Sequence, residues 1–276
     1  MAHASQKEYP AEKIRNISLI GHGGSGKTSL TEAALFISGT TTRFGRLDEG
    51  STVSDYHPDE IERKISINTS LVHIDWQGNK LNVLDTPGYS DFTGEVLSGL
   101  RVSDAAIVLL KAVEGTEVGT EIVWDYTKRN ELPAIVVVNK LDNENASFDK
   151  AVASARERFG HDVTIVQFPV NEGFAFDSFV DVLRMKMYKY QRDGSGKFVE
   201  SEIPAEMNEK SGALHEELIE KIAETDEPLM NKFFEEGTLH EQELTLGFRK
   251  ALQERKIFPV FCTAASLNIG LHQLLD

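Results

Sequence analysis

The segment Gly21-His22-Gly23-Gly24-Ser25-Gly26-Lys27-Thr28 has the residue types and spacing to hold a phosphate chain. Glycines let backbone N–H groups turn inward around an anion, and a helix opening at Lys27 would add positive potential at its N-terminus. In the Gly-x4-Gly-Lys-Thr spacing, Lys27 would neutralise the β- and γ-phosphates and the Thr28 hydroxyl would ligate Mg²⁺. His22, Gly23, Gly24, Ser25, Gly26 and Ser29 complete the cradle. The same stretch satisfies Gly21-x-Gly23-x-x-Gly26, a dinucleotide-binding fingerprint, with Asp48 at a suitable distance. On this segment alone, both readings stand.

Two further segments separate them. Asp85-Thr86-Pro87-Gly88 closes an apolar run, where Asp85 can hold Mg²⁺ through water while the Gly88 N–H faces a γ-phosphate. Asn139-Lys140-Leu141-Asp142 follows another apolar run, at the strand end where ligands of open α/β sheets bind. The Asp142 carboxylate can accept both hydrogens offered by guanine N1 and N2, and adenine offers no such pair. Three motifs in this order, each on a strand end, point to a guanine nucleotide with Mg²⁺.

These residues need a scaffold, and the hydrophobic pattern supplies one. Ile14–Ile20 reads as a buried strand and Lys27–Ser38 as a helix, followed by an aperiodic stretch over 39–64 of the kind kept for function. Ile65–Trp76 and Leu81–Leu84 form a hairpin around Gln77-Gly78-Asn79. Strands at Ala105–Leu110 and Ala134–Val138 alternate with helices at Glu117–Arg129 and Ser147–Phe159, and Val163–Val170 is extended. This is a mostly parallel sheet with helices on both faces, an α/β fold of the P-loop NTPase kind. Beyond Asn171 the pattern turns to longer acidic helices, with Thr238 and Glu241 in capping-box spacing, and the β/α alternation resumes at Ile257–Phe261. The expected organisation is a nucleotide-binding domain over 10–171 and 257–276, an inserted α+β subdomain over 172–256 and a polar tail over 1–9.

Charge supports that division. The chain of 276 residues has a net charge of −15, and residues 200–245 hold 14 Asp/Glu against 3 Lys/Arg. Broad binding to a phosphate backbone needs clustered cations, so it is not expected of this chain. Around Leu214, Leu218 and Ile222 the apolar spacing makes one stripe, with Glu217, Glu220 and Glu224 read on the opposite side. The single cysteine, Cys262, excludes an internal disulfide and reads as a small core residue. A polar N-terminus and the lack of a long apolar run imply a cytoplasmic protein with no membrane partner.

With these motifs in place, the chain resembles the translational GTPases, specifically the N-terminal portion of elongation factor G and its divergent paralogues. The resemblance runs from Arg15 onward and includes Arg15-Asn16-Ile17, Asp91-Phe92-Thr93-Gly94-Glu95-Val96, and the stretch from Phe168-Pro169-Val170 through Gly196-Lys197-Phe198 to Ile203-Pro204, similar to the family's inserted G′ subdomain. The resemblance implies a GTPase acting on the ribosome, with Mg²⁺ and GTP or GDP bound, slow without the ribosome, and switch segments at 39–66 and 88–100. It also implies that the acidic helix face meets the ribosomal stalk protein, and that the chain is a fragment of a longer protein.

The chain departs from the family pattern where chemistry happens. Gly23 and Gly24 stand where the family's main P-loop has an apolar residue and an aspartate. Lys64 stands at a glycine position, and Ser66 keeps a hydroxyl able to ligate Mg²⁺. Ala264-Ala265-Ser266 replaces Ser-Ala-Leu and retains backbone N–H groups for guanine O6. Tyr89 replaces the histidine that positions the hydrolytic water. A phenol can hydrogen-bond water but is a poor base and carries no positive charge. The catalytic set implied by the resemblance is therefore Lys27, Gly88 and Tyr89. These departures leave an alternative, a ribosome-binding module controlled by nucleotide occupancy with little or no hydrolysis.

Overall fold

The computed structural model describes residues 8–276, so most of the expected polar tail lies outside the described residues. The chain opens with β1 (Ile14–Gly21) and α1 (Lys27–Ile37), then runs through a long loop holding a short helix, α2 (Pro58–Arg63). A hairpin follows, β2 (Ser70–Trp76) and β3 (Asn79–Asp85). Then come α3 (Thr93–Arg101), β4 (Ala105–Lys111), α4 (Val118–Arg129), β5 (Ala134–Asn139) and α5 (Phe148–Phe159). The short strands β6 (Val163–Ile165) and β7 (Gln167–Pro169) lead into β8 (Ser178–Asp181), β9 (Lys186–Tyr190) and β10 (Phe198–Ser201). The chain closes with α6 (Asn208–Ala223), α7 (Glu227–Glu236), α8 (Glu241–Gln253), β11 (Phe258–Cys262) and α9 (Leu271–Leu275).

Seven strands form one sheet in the order β2-β3-β1-β4-β5-β11-β6, parallel except for the edge strand β2. Its central strands carry unbroken apolar runs because helices cover both faces; Val108, Leu109, Val136 and Val137 are fully buried. A four-stranded antiparallel sheet, β10-β9-β8-β7, is the second layer. Phe179 and Tyr188 from this sheet, and Leu218 and Ile222 from α6, join the same buried cluster as the large sheet.

Several local expectations change. The strand expected from Ile65 starts at Ser70, because the N–H groups of Ile67 and Asn68 are taken by the buried Glu60 carboxylate (2.9 and 3.0 Å) and that of Thr69 by Glu95 (2.8 Å). These residues bind side chains instead of a neighbouring strand. Helix α2 breaks the aperiodic 39–64 stretch; it begins with Pro58, whose missing N–H is harmless in a first turn. The hairpin turn is two residues, Gln77-Gly78, both left-handed, and Asn79 already pairs with Trp76.

The extended run Val163–Val170 is split between the two sheets at Val166, whose N–H donates to Val260 of the large sheet (3.2 Å) while its carbonyl accepts from Val182 beside the small one (2.9 Å). Three strands precede the acidic helices that were expected directly after Asn171. The capping box falls two residues later than Thr238 and Glu241: the residue before α8 is His240, and its N–H donates to Glu243 (3.1 Å).

Candidate functional site

The turn between β1 and α1 faces the C-terminal ends of β3, β4, β5 and β11, where an open parallel sheet leaves its crevice. Gly26, at the start of α1, has φ 96°, and a Cβ there would lie 2.3 Å from Asn139 Nδ2, so only glycine fits. Asn139 ends β5 and is almost fully buried. Its Nδ2 donates to Ser25 O (2.9 Å), while its Oδ1 accepts from the Thr263 hydroxyl and the Ala265 N–H, each at 3.0 Å. One amide thereby ties together the cradle, β5 and the turn after β11.

Asp142 stands next to this clasp. Its Oδ2 accepts from the Ser266 hydroxyl (3.3 Å), and its Oδ1 is buried with no hydrogen-bond partner. An orphaned carboxylate oxygen is costly and calls for a donor, which a guanine edge would supply. The turn expected to meet guanine O6 is more committed than its sequence implies. The Ala264 N–H goes to Ile269 O (3.2 Å) and the Ala265 N–H to Asn139, so of the three residues only Ser266, exposed at the rim, keeps its N–H outside these two bonds.

A cavity of about 290 Å³ opens beside the cradle, lined by Gly23, Gly24, Gly26, Lys27, Thr28, Ser29, Leu47, Lys64, Ile65, Ser66, Gly88, Tyr89 and Lys140. Lys27 is buried beneath it, with Nζ donating to Gly21 O (3.1 Å) and His22 O (3.2 Å). Burial lowers its pKa to about 8, against the attraction of Asp85 and Asp55. Burial raises Asp85 to about 6, opposed by the Thr28 hydroxyl and the Lys27 ammonium nearby. Both Asp85 oxygens lack a geometric hydrogen bond. The Thr28 and Ser66 hydroxyls stand 3.1 Å apart, which brings the first helix and the switch loop to one point.

These groups fit Mg²⁺. Two converging hydroxyls, next to a desolvated and unpaired carboxylate, suit a hard cation that keeps water and phosphate oxygens as its other ligands. Among the described residues no three His, Cys, Asp or Glu side chains converge on a metal position, so the donor set does not resemble an all-protein cage.

Sequence reasoning missed Asp55. It lies buried in the aperiodic loop with Oδ2 unpaired, and its pKa is raised, first by burial and then by Glu60, against the Ser66 hydroxyl and Lys27. Nothing in its local sequence sets it apart from Asp48 or Asp59; only the loop's fold brings it to Ser66. His22 points away from the cavity, with Nε2 3.4 Å from Glu117, while its carbonyl serves Lys27. Lys64 adopts the left-handed conformation (φ 54°, ψ 40°) and donates Nζ to Asp48 O (3.1 Å). Gly88 packs against Lys27 and Gly23, and Tyr89 stands half-exposed at the cavity edge.

The three glutamates on α6 do not share one environment. Glu220 and Glu224 are exposed, whereas Glu217 is half-buried and pairs with Arg156 of α5 and Lys221, each at 3.3 Å. Glu217 therefore faces the contact between α5 and α6 and not the solvent side assigned to it by helical spacing. Leu218 and Ile222 are buried and Leu214 partly so, as that spacing requires.

Comparison with known proteins gives a consistent result. The family described as elongation factor Tu GTP binding domain matches residues 12–276. Elongation factor G from Thermotoga maritima is 38% identical over 266 residues, covering 96% of this chain and 38% of that protein. Elongation factor G from Thermotoga petrophila is 36% identical over 277 residues, covering 100% of this chain and 40% of that protein. A crystal structure of a protein from Thermus thermophilus superposes with a TM-score of 0.89 at 35% identity, covering 95% of this chain and 39% of that one. The chain thus spans about two-fifths of the length of these relatives.

Proposed function

The chain belongs to the elongation factor Tu GTP binding domain family, within which it resembles elongation factor G, and from that premise we propose that it binds GTP and GDP with Mg²⁺ and hydrolyses GTP slowly until a ribosome assists. The observation that carries the base assignment is the buried, unpaired Asp142 Oδ1 beside the Asn139 clasp. The nucleotide-binding unit comprises 10–171 and 257–276, and 172–256 forms the acidic insertion, whose sheet reaches back to Gln167 for its first strand. The protein acts in the cytoplasm. No helix among the described residues is long and apolar enough to cross a membrane.

In this reading Lys27 and the N–H groups of residues 23–28 hold the β- and γ-phosphates. The Thr28 and Ser66 hydroxyls would hold Mg²⁺, with the Asp85 and Asp55 carboxylates beside them, and the cation would supply charge to offset that on the phosphate oxygens. Water attacks the γ-phosphorus and passes its proton to a γ-phosphate oxygen, the bond to the β–γ bridging oxygen breaks, and GDP leaves with that electron pair. The Gly88 N–H and Lys27 stabilise the transferring group, and the Tyr89 hydroxyl orients the water. Glu220 and Glu224 meet the stalk protein.

Tyr89 also favours a second reading. Its hydroxyl has no hydrogen-bond partner among the described residues, so no hydrogen bond among them orients it toward a water, and nucleotide occupancy alone could govern ribosome association. Phosphate release from the full-length protein separates the two. Hydrolysis on the order of 10⁻⁴ s⁻¹ without ribosomes and a rise of several hundredfold with them supports the enzyme. An unchanged rate with ribosomes, alongside GTP-dependent ribosome binding, supports the occupancy reading.

A further inference from the structure

Two positions far apart in the sequence, Gly23 in the cradle and Tyr89 after β3, meet at the cavity edge. A Cβ added at Gly23 would have as its three nearest neighbours the phenolic end of Tyr89, with Cζ at 3.1 Å, Cε1 at 3.2 Å and Cε2 at 3.3 Å. Carbon atoms in good contact stand about 3.5–4.0 Å apart, so the ring lies directly against the glycine. Gly23 does not have the left-handed backbone that would itself require glycine, unlike its neighbours Gly24 (φ 74°) and Gly26 (φ 96°). A side chain at 23 is disfavoured by the ring and not by the backbone. Gly88, the residue before Tyr89, also packs closely here: a Cβ on it would lie 2.8 Å from Gly23 N and Cα and 2.5 Å from Lys27 Nζ.

We propose that Gly23 is a positioning residue for Tyr89, and that the two act as one unit in which the tyrosine ring replaces a side chain at 23 as the wall of the γ-phosphate end of the cavity. The ring is 45% exposed and its hydroxyl is unbonded among the described residues, so contact with Gly23 is what seats it. Because Gly23 belongs to the cradle and Tyr89 to the following switch, the pair couples γ-phosphate occupancy to the switch by packing. A side chain at 23 unseats the ring, opens the γ-phosphate end to water and leaves the β-phosphate end intact.

The inference rests on the guanine-nucleotide reading, and a double-mutant cycle tests the two separately. GTP and GDP affinities are measured with Mg²⁺ for the wild type, Gly23→Val, Tyr89→Ala and the double variant. Gly23→Val alone should lower the ratio of GTP to GDP affinity by about tenfold, and in the Tyr89→Ala background by less than about twofold. That difference, at least about fivefold or about 1 kcal/mol of coupling, is a readout that a loss of stability would not move. Equal effects of Gly23→Val in both backgrounds would overturn the pair, and absence of GDP binding in the wild type would overturn the guanine-nucleotide reading. If Gly23→Val fails to fold, the same cycle with Gly23→Ala, which adds the Cβ alone, should show about threefold coupling, and additivity there overturns the pair equally.

Discussion

The base end and the γ-phosphate end of the proposed nucleotide site are built differently. At the base end, Asn139 makes three buried hydrogen bonds that tie its strand to two other segments, and one acceptor, Asp142 Oδ1, stays unpaired. At the other end, Thr28, Ser66, Asp55 and Asp85 crowd together with unpaired carboxylates, and the outer wall is a half-exposed ring resting on a glycine. The first region is held by hydrogen bonds the chain makes with itself. The second leaves its strongest groups unpaired and depends on packing.

The sharpest way to break this contrast is at the clasp. Asn139→Ala leaves Ser25 O, the Thr263 hydroxyl and the Ala265 N–H without their partner, so we expect a loss of about 3 kcal/mol in stability and roughly a hundredfold in guanine-nucleotide affinity. Thermal unfolding and nucleotide titration check it. A fall in affinity with unchanged stability would mean that the clasp does not hold the three segments together.

At the phosphate end the expected effects depend on pH. The Asp85 pKa is raised to about 6, so the nucleotide-free fold favours the protonated acid. The stability this contributes is full below the ordinary carboxylate value near 4 and is lost as pH rises to about 6. Binding of Mg²⁺ requires the ionised form, and at pH 5, one unit below its pKa, only about a tenth of the carboxyl is charged, so the tightening of GDP binding by Mg²⁺ should be about tenfold weaker there than at pH 7.5. Asp85→Asn should abolish that difference, and a persistent pH dependence would shift the role to Asp55.

The smallest effect belongs to Lys64. Its left-handed backbone is unfavourable for a lysine, and its hydrogen bond to Asp48 O is solvent-exposed. Lys64→Gly should raise stability by about 0.5 kcal/mol in chemical denaturation, with relief of strain exceeding the flexibility glycine adds. A loss of stability would show that the tether to Asp48 outweighs the strain.

Much of the site was legible in the sequence where its residues are contiguous in motifs. Gly21 to Thr28, Asp85 to Gly88 and Asn139 to Asp142 occur as strings, and alternating apolar runs place each on a strand end. The phosphate end was legible only in part. Ser66 could be matched to a family position, but Asp55 could not be told from neighbouring acids, since it reaches Lys27 and Ser66 through a loop with no periodicity. The same loop hid α2 and delayed β2, because side-chain carboxylates from Glu60 and Glu95 take N–H groups that a pattern-based reading gives to a strand. Helical spacing identified the buried stripe of α6 but misplaced Glu217, whose partner Arg156 lies on another element. The departures at 23 and 89 were each visible in the sequence, whereas their contact was visible only in three dimensions.

On the proposed reading Asp142 selects guanine, which equilibrium binding of GDP and ADP with Mg²⁺ measures. The wild type should bind GDP at least about a hundredfold more tightly than ADP, and Asp142→Ala should remove most of that preference without weakening ADP. Equal affinity of the wild type for GDP and ADP would contradict it.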